Sequence, residues 1–108
     1  MRPPDDARGV LQDIHWSAGL IGYFPTYTLG NLYAAQLMEA ARRAVPDLDG
    51  QIASGRFSEL LGWLRRDVHA SGRLLESGPL VEQATGTSVS GHWLVASLRE
   101  RYGRAHGL

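Results

Sequence analysis

The feature that most constrains this chain is a long stretch with no acidic side chain and, apart from one histidine, no basic one. From Ile14 to Met38 the sequence contains no Asp, Glu, Lys or Arg. Its length alone would allow a membrane-spanning helix. Glycines, a proline and several hydroxyl and amide side chains interrupt it, however, and unpaired polar groups are costly in hydrocarbon. We therefore expect a segment buried inside a protein and not a membrane span.

A helix is predicted over the second half of this stretch. It should begin near Thr26, because Pro25 suits a first helical turn, and should end at Ala44, ahead of Pro46. Apolar residues cover both faces of this helix until Glu39. A helix that is apolar all round belongs in the core of a larger body. A chain of 108 residues is too small to bury it on every side.

The spacing of apolar residues in the rest of the chain predicts shorter amphipathic helices. One is predicted over 57–68, and Gly72 is expected to close it. Short helical or turn segments are expected at 46–53 and at 79–84, the second stopped near Gly86.

The C-terminal end of the sequence predicts a last helix. Ser90 is its expected N-cap, and its apolar stripe includes Leu94, Leu98 and Tyr102. No part of the chain alternates apolar and polar residues for long enough to form a strand. The predicted fold is therefore all-α: one small domain over 1–108, with about four to five helices.

The composition excludes several classes of protein. Eleven basic residues balance eleven acidic ones, whereas a nucleic-acid-binding domain usually carries a basic excess. The sequence has no cysteine, so it has no disulfide framework and no thiolate metal site. The first residues, Met1–Asp6, lack the apolar run of a secretory signal. We expect a cytoplasmic protein with no nucleic-acid partner and no membrane partner.

The four histidines do not form a recognisable metal motif. None of His15, His69, His92 and His106 is followed by glutamate, and no two lie four residues apart, so the zinc motif HExxH is absent. We expect no metal site within this chain, and we expect His69 and His92 to be surface or packing residues. A nucleophilic-serine elbow and a phosphate-binding loop are also missing from the sequence.

A polar cluster remains in and beside the uncharged stretch. Its members are Gln12, Asp13, His15, Trp16, Tyr23 and Tyr27. Histidine and tyrosine side chains can donate hydrogen bonds to an oxyanion that develops on a carbonyl group, and a neighbouring aspartate can fix a histidine tautomer. Partly buried histidines and tyrosines with satisfied hydrogen bonds are nevertheless more common than catalytic ones. The residue types alone therefore favour a structural role.

Two runs of residues resemble the carboxypeptidase Taq family of zinc metallocarboxypeptidases. Residues 9–16 read GVLQDIHW and match the family signature GxxQDxHW. The run 22–27, GYFPTY, and the shorter runs 29–31 and 34–36 follow as they do in the family. The resemblance extends over essentially the whole chain, with weaker matches toward Tyr102.

The resemblance implies a larger, mostly helical enzyme that removes C-terminal residues from peptides by metal-assisted hydrolysis, usually as a homodimer. In the family, two histidines of HExxH and a downstream glutamate hold zinc, and these motifs precede the region seen here. This chain resembles the C-terminal part only. Its cofactor would be zinc or another divalent metal in the intact family, and none within this chain.

Roles for individual residues also follow from the resemblance. In an intact enzyme, His15 and Tyr27 would be catalytic, in contact with the substrate or the tetrahedral intermediate. Tyr23 would bind substrate, and Gln12 and Asp13 would orient His15.

The resemblance leaves several functions open. The chain is expected to be a piece of a metallocarboxypeptidase, either an expressed piece or the product of a truncated gene, and inactive alone. It could instead be a non-catalytic helical interaction module derived from the family, or one chain of a split enzyme. Because the apolar helix would face water, we expect the chain to form a homo-oligomer or to bind a complementing N-terminal chain.

Overall fold

The protein is built from α-helices and short 3-10 turns. The structure, a computed structural model, describes residues 2–107 apart from the side chain of Arg104, and no β-strand occurs among them. The helices are α1 (Ile14–Ser17), α2 (Pro25–Ala44), α3 (Leu48–Ala53), α4 (Ser58–Asp67), α5 (Ser77–Thr85) and α6 (His92–His106). The predicted all-α class is confirmed. Residues 2–107 hold one helix more than expected, because a single turn, α1, precedes the long helix.

Helix α2 is the spine against which the other helices lie. Pro25 is its first residue, and Val45 leaves it in an extended conformation ahead of Pro46. Helix α2 contacts α3, α4, α5 and α6. A small core forms around Ala40 and Ala41, against which Trp63 of α4 is buried. Two successive alanines let the neighbouring helices approach α2 closely, so one tryptophan can fill the space between them.

The chain between α4 and α5 differs from its prediction. Helix α4 ends at Asp67, and a 3-10 turn, His69–Ser71, follows it. Gly72 closes this turn and not the helix, with φ +52° and ψ −121°. That conformation is open essentially to glycine alone. Gly86, with φ +76° and ψ 8°, does end α5 as predicted.

Gln36 ties α2 to the loop between α5 and α6. Its side chain is the most deeply buried large one in the described part of the chain. Its amide nitrogen donates to Thr85 Oγ1 (3.0 Å) and to the carbonyl oxygens of Thr87 (2.8 Å) and Ser88 (3.3 Å). Its amide oxygen accepts the Ser90 N–H at 3.2 Å. One side chain therefore holds the segment that leads into α6.

The start of α6 is set by Ser90. The Ser90 hydroxyl accepts the backbone N–H of His92 at 3.2 Å, although the residue that directly precedes the helix is Gly91. Ser90 thus acts at the helix N-terminus by hydrogen bonding, one residue earlier than a standard cap.

The molecule is less compact than its length would allow. Its radius of gyration is 17.8 Å, whereas a compact domain of this length has about 13 Å. Its accessible surface is 8270 Å², against about 5,900 Å² for a folded monomer of this mass. Residues 10–30 contribute to this excess, since all of them are exposed except Asp13 and His15. Large apolar side chains exposed there include Val10, Leu11, Ile14, Leu20, Ile21, Phe24 and Leu29.

Within residues 2–107, no helix has both the length and the apolar character that crossing a membrane requires. The long uncharged stretch instead divides into three parts: α1, an exposed turn and most of α2.

Candidate active site

The residues of the polar cluster meet where α1 approaches the first turn of α2. Asp13 is the N-cap of α1, with an extended backbone (φ −83°, ψ 122°), and its carboxylate accepts the His15 N–H at 2.8 Å. Aspartate is favoured there because its side chain satisfies an N–H that has no partner in the helix. The same carboxylate oxygen lies 2.5 Å from His15 Nδ1. One aspartate therefore starts the helix and orients the histidine ring.

The charge of Asp13 determines where His15 carries its proton. The hydrogen bonds that it accepts from the backbone and the ring of His15 lower the pKa of Asp13 below its ordinary value. The ionised carboxylate can only accept hydrogen bonds, so His15 Nδ1 must carry the hydrogen that lies between them. When the ring is neutral, Nε2 is consequently a bare acceptor.

Tyr27 occupies the other side of the ring. Its hydroxyl oxygen lies 2.7 Å from His15 Nε2. The first turn of α2 places it there: the Tyr27 N–H donates to the carbonyl oxygen of Phe24, and the Thr26 hydroxyl donates to that of Tyr23. Gly22, with φ +80°, makes the turn that delivers this segment.

Three aromatic rings surround the imidazole. Tyr23 stacks on it with a centroid distance of 5.5 Å and an interplanar angle of 21°. Phe24 lies tilted at 5.0 Å, and Tyr27 meets it edge-on at 5.6 Å. The side chain of His15 is only 16% exposed, whereas Tyr27 is 50% exposed. Tyr27 is thus the more exposed end of the arrangement.

Two members of the cluster lie away from the ring. The Gln12 amide donates to the carbonyl oxygen of Ala7 at 2.5 Å, so it braces the preceding loop and does not contact His15. Trp16 lines a shallow depression with Gln12, Asp13 and Phe24. Phe24 was missed as a site residue by the sequence reasoning. Its place inside the matching run 22–27 was the available signal.

The remaining histidines take no part in the site. His69 lies exposed in the 3-10 turn after α4, and His92 lies exposed at the start of α6 with its ring 5.2 Å from Trp93. Across residues 2–107, no three His, Cys, Asp or Glu side chains lie close enough together to hold a metal ion. The described residues therefore do not supply the donor set that zinc requires.

His15 and Tyr27 do not form two independent hydrogen-bond donors. Asp13, His15 and Tyr27 form one line of hydrogen bonds, and His15 Nε2 is occupied by the tyrosine hydroxyl. Tyr27 is the exposed end of this line. The Tyr27 hydroxyl can donate or accept a hydrogen bond, depending on whether His15 Nε2 donates to it or accepts from it.

Comparisons with known proteins identify the same family that the sequence motifs resemble. A model of the family described as carboxypeptidase Taq (M32) metallopeptidase matches residues 1–102. Thermostable carboxypeptidase 1 of Thermus thermophilus is 44% identical over 105 residues, which cover 97% of this chain and 21% of the relative. Carboxypeptidase 1 of Bacillus subtilis is 37% identical over 100 residues, covering 93% and 20%.

A solved structure extends the likeness to the fold. The crystal structure of an M32 carboxypeptidase from Deinococcus radiodurans matches with a TM-score of 0.87 and 43% identity, over 100% of this chain and 22% of that one. The chain spans about a fifth of the length of each of these relatives. On these matches, the chain belongs to the carboxypeptidase Taq (M32) metallopeptidase family.

Proposed function

We propose that this chain supplies one wall of the active site of a zinc metallocarboxypeptidase, an enzyme that removes C-terminal residues from peptides. The observation that carries the proposal is the line Asp13–His15–Tyr27. It lies within the segment that matches the family and ends in an accessible hydroxyl.

The metal would be held by residues outside this sequence. The described residues do not provide a suitable group of donors, and the chain corresponds to about a fifth of its relatives' length. The chain alone is accordingly proposed to be inactive. Its own contribution would be to bind and orient the peptide.

Tyr27 would contact the peptide directly. When His15 is protonated and Nε2 donates to the Tyr27 oxygen, the Tyr27 O–H can donate a hydrogen bond to a carbonyl oxygen on which negative charge develops. Tyr23 would present its half-exposed ring to the substrate while its other face stacks on His15. Asp13 would act through His15, by fixing its tautomer. Gln12, which is held on Ala7, would act further back by shaping the loop before α1.

A protein partner is part of the proposal. The chain exposes roughly 2,400 Å² more than a compact monomer of its mass, and a standard interface buries only about 800 Å² on each partner. The apolar side chains over residues 10–30 dominate this surface. We expect a complementing chain to cover it, or a second copy when none is present. The cysteine-free composition is compatible with a reducing compartment, so the proposal places the protein in the cytoplasm.

A second candidate function is a non-catalytic interaction module, and the same exposed apolar surface favours it. A third is one chain of a split enzyme. The three differ in whether the Asp13–His15–Tyr27 line supports hydrolysis when a metal-bearing partner is supplied.

A chimera tests the proposal. This chain would replace the matching segment of Bacillus subtilis carboxypeptidase 1, and release of C-terminal residues from a blocked dipeptide would be measured with zinc content. We expect hydrolysis that falls about 10²- to 10³-fold in kcat on Tyr27→Phe. The matched control is Tyr33→Phe, because that hydroxyl lies 3.3 Å from Ser77 and away from His15.

Each result has a distinct meaning. Activity that is equal in the Tyr27→Phe and Tyr33→Phe chimeras would contradict the role of Tyr27. A chimera that binds zinc like the relative but does not hydrolyse would favour the interaction module. Hydrolysis recovered on mixing this chain with a relative that lacks the segment would favour the split enzyme. The isolated chain, tested in parallel, should bind no stoichiometric zinc and release no residues.

A further inference from the structure

The imidazole of His15 lies between a group that can only accept hydrogen bonds and a group that can both donate and accept. The Asp13 carboxylate is on Nδ1 and the Tyr27 hydroxyl is on Nε2. Only the second of these bonds can reverse its direction, because the first is fixed by the negative charge.

The direction of the second bond depends on whether His15 is protonated. With a neutral ring, Nε2 has a lone pair, so the Tyr27 O–H points at it and is not available to a ligand. With a protonated ring, Nε2 carries a hydrogen and donates to the tyrosine oxygen. The Tyr27 O–H must then turn outward.

We infer that the Asp13–His15–Tyr27 line is a polarity switch, in which protonation of His15 converts Tyr27 from an acceptor toward ligands into a donor toward them. In the protonated state the exposed hydroxyl suits a carboxylate or an oxyanion, and the imidazolium charge lies behind it. In the neutral state the same hydroxyl offers a lone pair and suits an N–H donor. The inference rests on the proposed function only for the identity of the ligand.

The surroundings of the ring favour a switch of this kind. Within the described part of the chain, the titratable side chains that contact the imidazole are Asp13 at the start of α1, Tyr27 on α2 and Tyr23 on the intervening turn. The fourth contact, Phe24, is uncharged. Asp13 supplies the only charge among them at neutral pH, and it is of the sign that accommodates an imidazolium. The rings of Tyr23 and Phe24 hold the plane of the imidazole, so protonation can reverse the bond between Nε2 and Tyr27 without moving the His15 ring.

Nuclear magnetic resonance on the unmodified, isotope-labelled chain tests the switch without any enzyme assay. Long-range proton–nitrogen correlations report the tautomer of each histidine ring. We expect neutral His15 to carry its hydrogen on Nδ1 alone, in contrast to exposed His69 and His92. As the pH is lowered until His15 becomes protonated, the phenolic carbon of Tyr27 should shift with the same midpoint as the His15 ring. Tyr33, bonded to Ser77, should not follow it.

Two results would overturn the inference: a hydrogen on Nε2 of neutral His15, or a Tyr27 signal that ignores the titration of His15. In the variant Tyr27→Phe the hydrogen of neutral His15 should stay on Nδ1, because Asp13 fixes it there. A hydrogen on Nε2 in this variant would show that Asp13 does not set the tautomer. Failure of the chimera with these spectra intact would refute the proposed enzymatic role and leave the switch standing.

Discussion

Replacing Gln36 with leucine should destabilise the fold far more than a glutamine-to-leucine change at an exposed position. The two side chains have similar size, so the main effect of Gln36→Leu is the loss of hydrogen bonds. The Thr87 carbonyl keeps a partner, because the Thr85 hydroxyl also donates to it at 3.1 Å. The Ser90 N–H and the Ser88 carbonyl lose the partner that Gln36 provides.

The size of the effect follows from those two groups. A buried polar group left without a partner costs about 1–3 kcal/mol. Ser90 is half-buried, whereas Ser88 is exposed and water can replace part of its bond. We therefore expect a loss of about 2–4 kcal/mol in the free energy of unfolding. For a domain of this size that is a large share of a total of roughly 5–15 kcal/mol, and it lowers Tm by roughly 10–20 °C.

Urea denaturation followed by far-ultraviolet circular dichroism measures this loss. The matched control is Gln83→Leu, because that exposed amide makes only a 3.5 Å contact with Ser71. The control should change stability by no more than about 0.5 kcal/mol. Equal midpoints for the two variants, with unchanged slopes, would refute the reasoning that Gln36 holds the α5–α6 loop.

Two further predictions concern the backbone and pH. Gly72→Ala should destabilise the protein by about 1–3 kcal/mol, because φ +52° with ψ −121° is strained for any residue with a Cβ. Gly62→Ala lies in open space within α4 and should instead stabilise the protein by up to about 1 kcal/mol. Thermal unfolding that ranks the two variants the other way would contradict both expectations. The pKa of Asp13 is lowered in the folded state by its hydrogen bonds to His15, so its contribution to stability is present above the ordinary carboxyl pKa, near 4, and is lost as the pH falls through the lower folded value. An acid titration of α1 by nuclear magnetic resonance should show this loss in the unmodified chain and not in Asp13→Asn.

Sequence patterns predicted the elements whose ends are marked by local chemistry. Pro25 and Pro46 bracket α2, and Gly86 ends α5, because proline and glycine act through their own backbone restrictions. Helix α1 escaped prediction because four residues are too few for a periodic pattern. It is held by the Asp13 cap and by contacts of the His15 ring, which the sequence does not display.

Long-range partners explain the other differences. Gln36 was read from the sequence as one of several polar interruptions of an apolar run, but its partners lie 49 to 54 residues further along the chain. The family resemblance selected His15 and Tyr27. It did not reveal that the two side chains share one hydrogen bond, because that depends on rotamers and on the turn at Gly22. The resemblance assigned Gln12 to orient His15, whereas in the structure its amide donates to the carbonyl oxygen of Ala7.

The part of helix α2 that is packed in the core lies far from the turn of the helix that carries Tyr27. Its C-terminal half is clamped in the core and by Gln36, while Tyr27 sits in its first turn, roughly 14 Å from Gln36 at 1.5 Å per residue. A tilt of about 5° at the fixed half of α2 would displace its N-terminal end by roughly 1 Å. His15 would move with Tyr27, because its contacts are with Asp13, Tyr23, Phe24 and Tyr27 at that same end. Misplacement of that size can cost about a hundredfold in rate. Loosening of the core contacts of α2 would therefore move the Asp13–His15–Tyr27 line as one unit, before any helix melts.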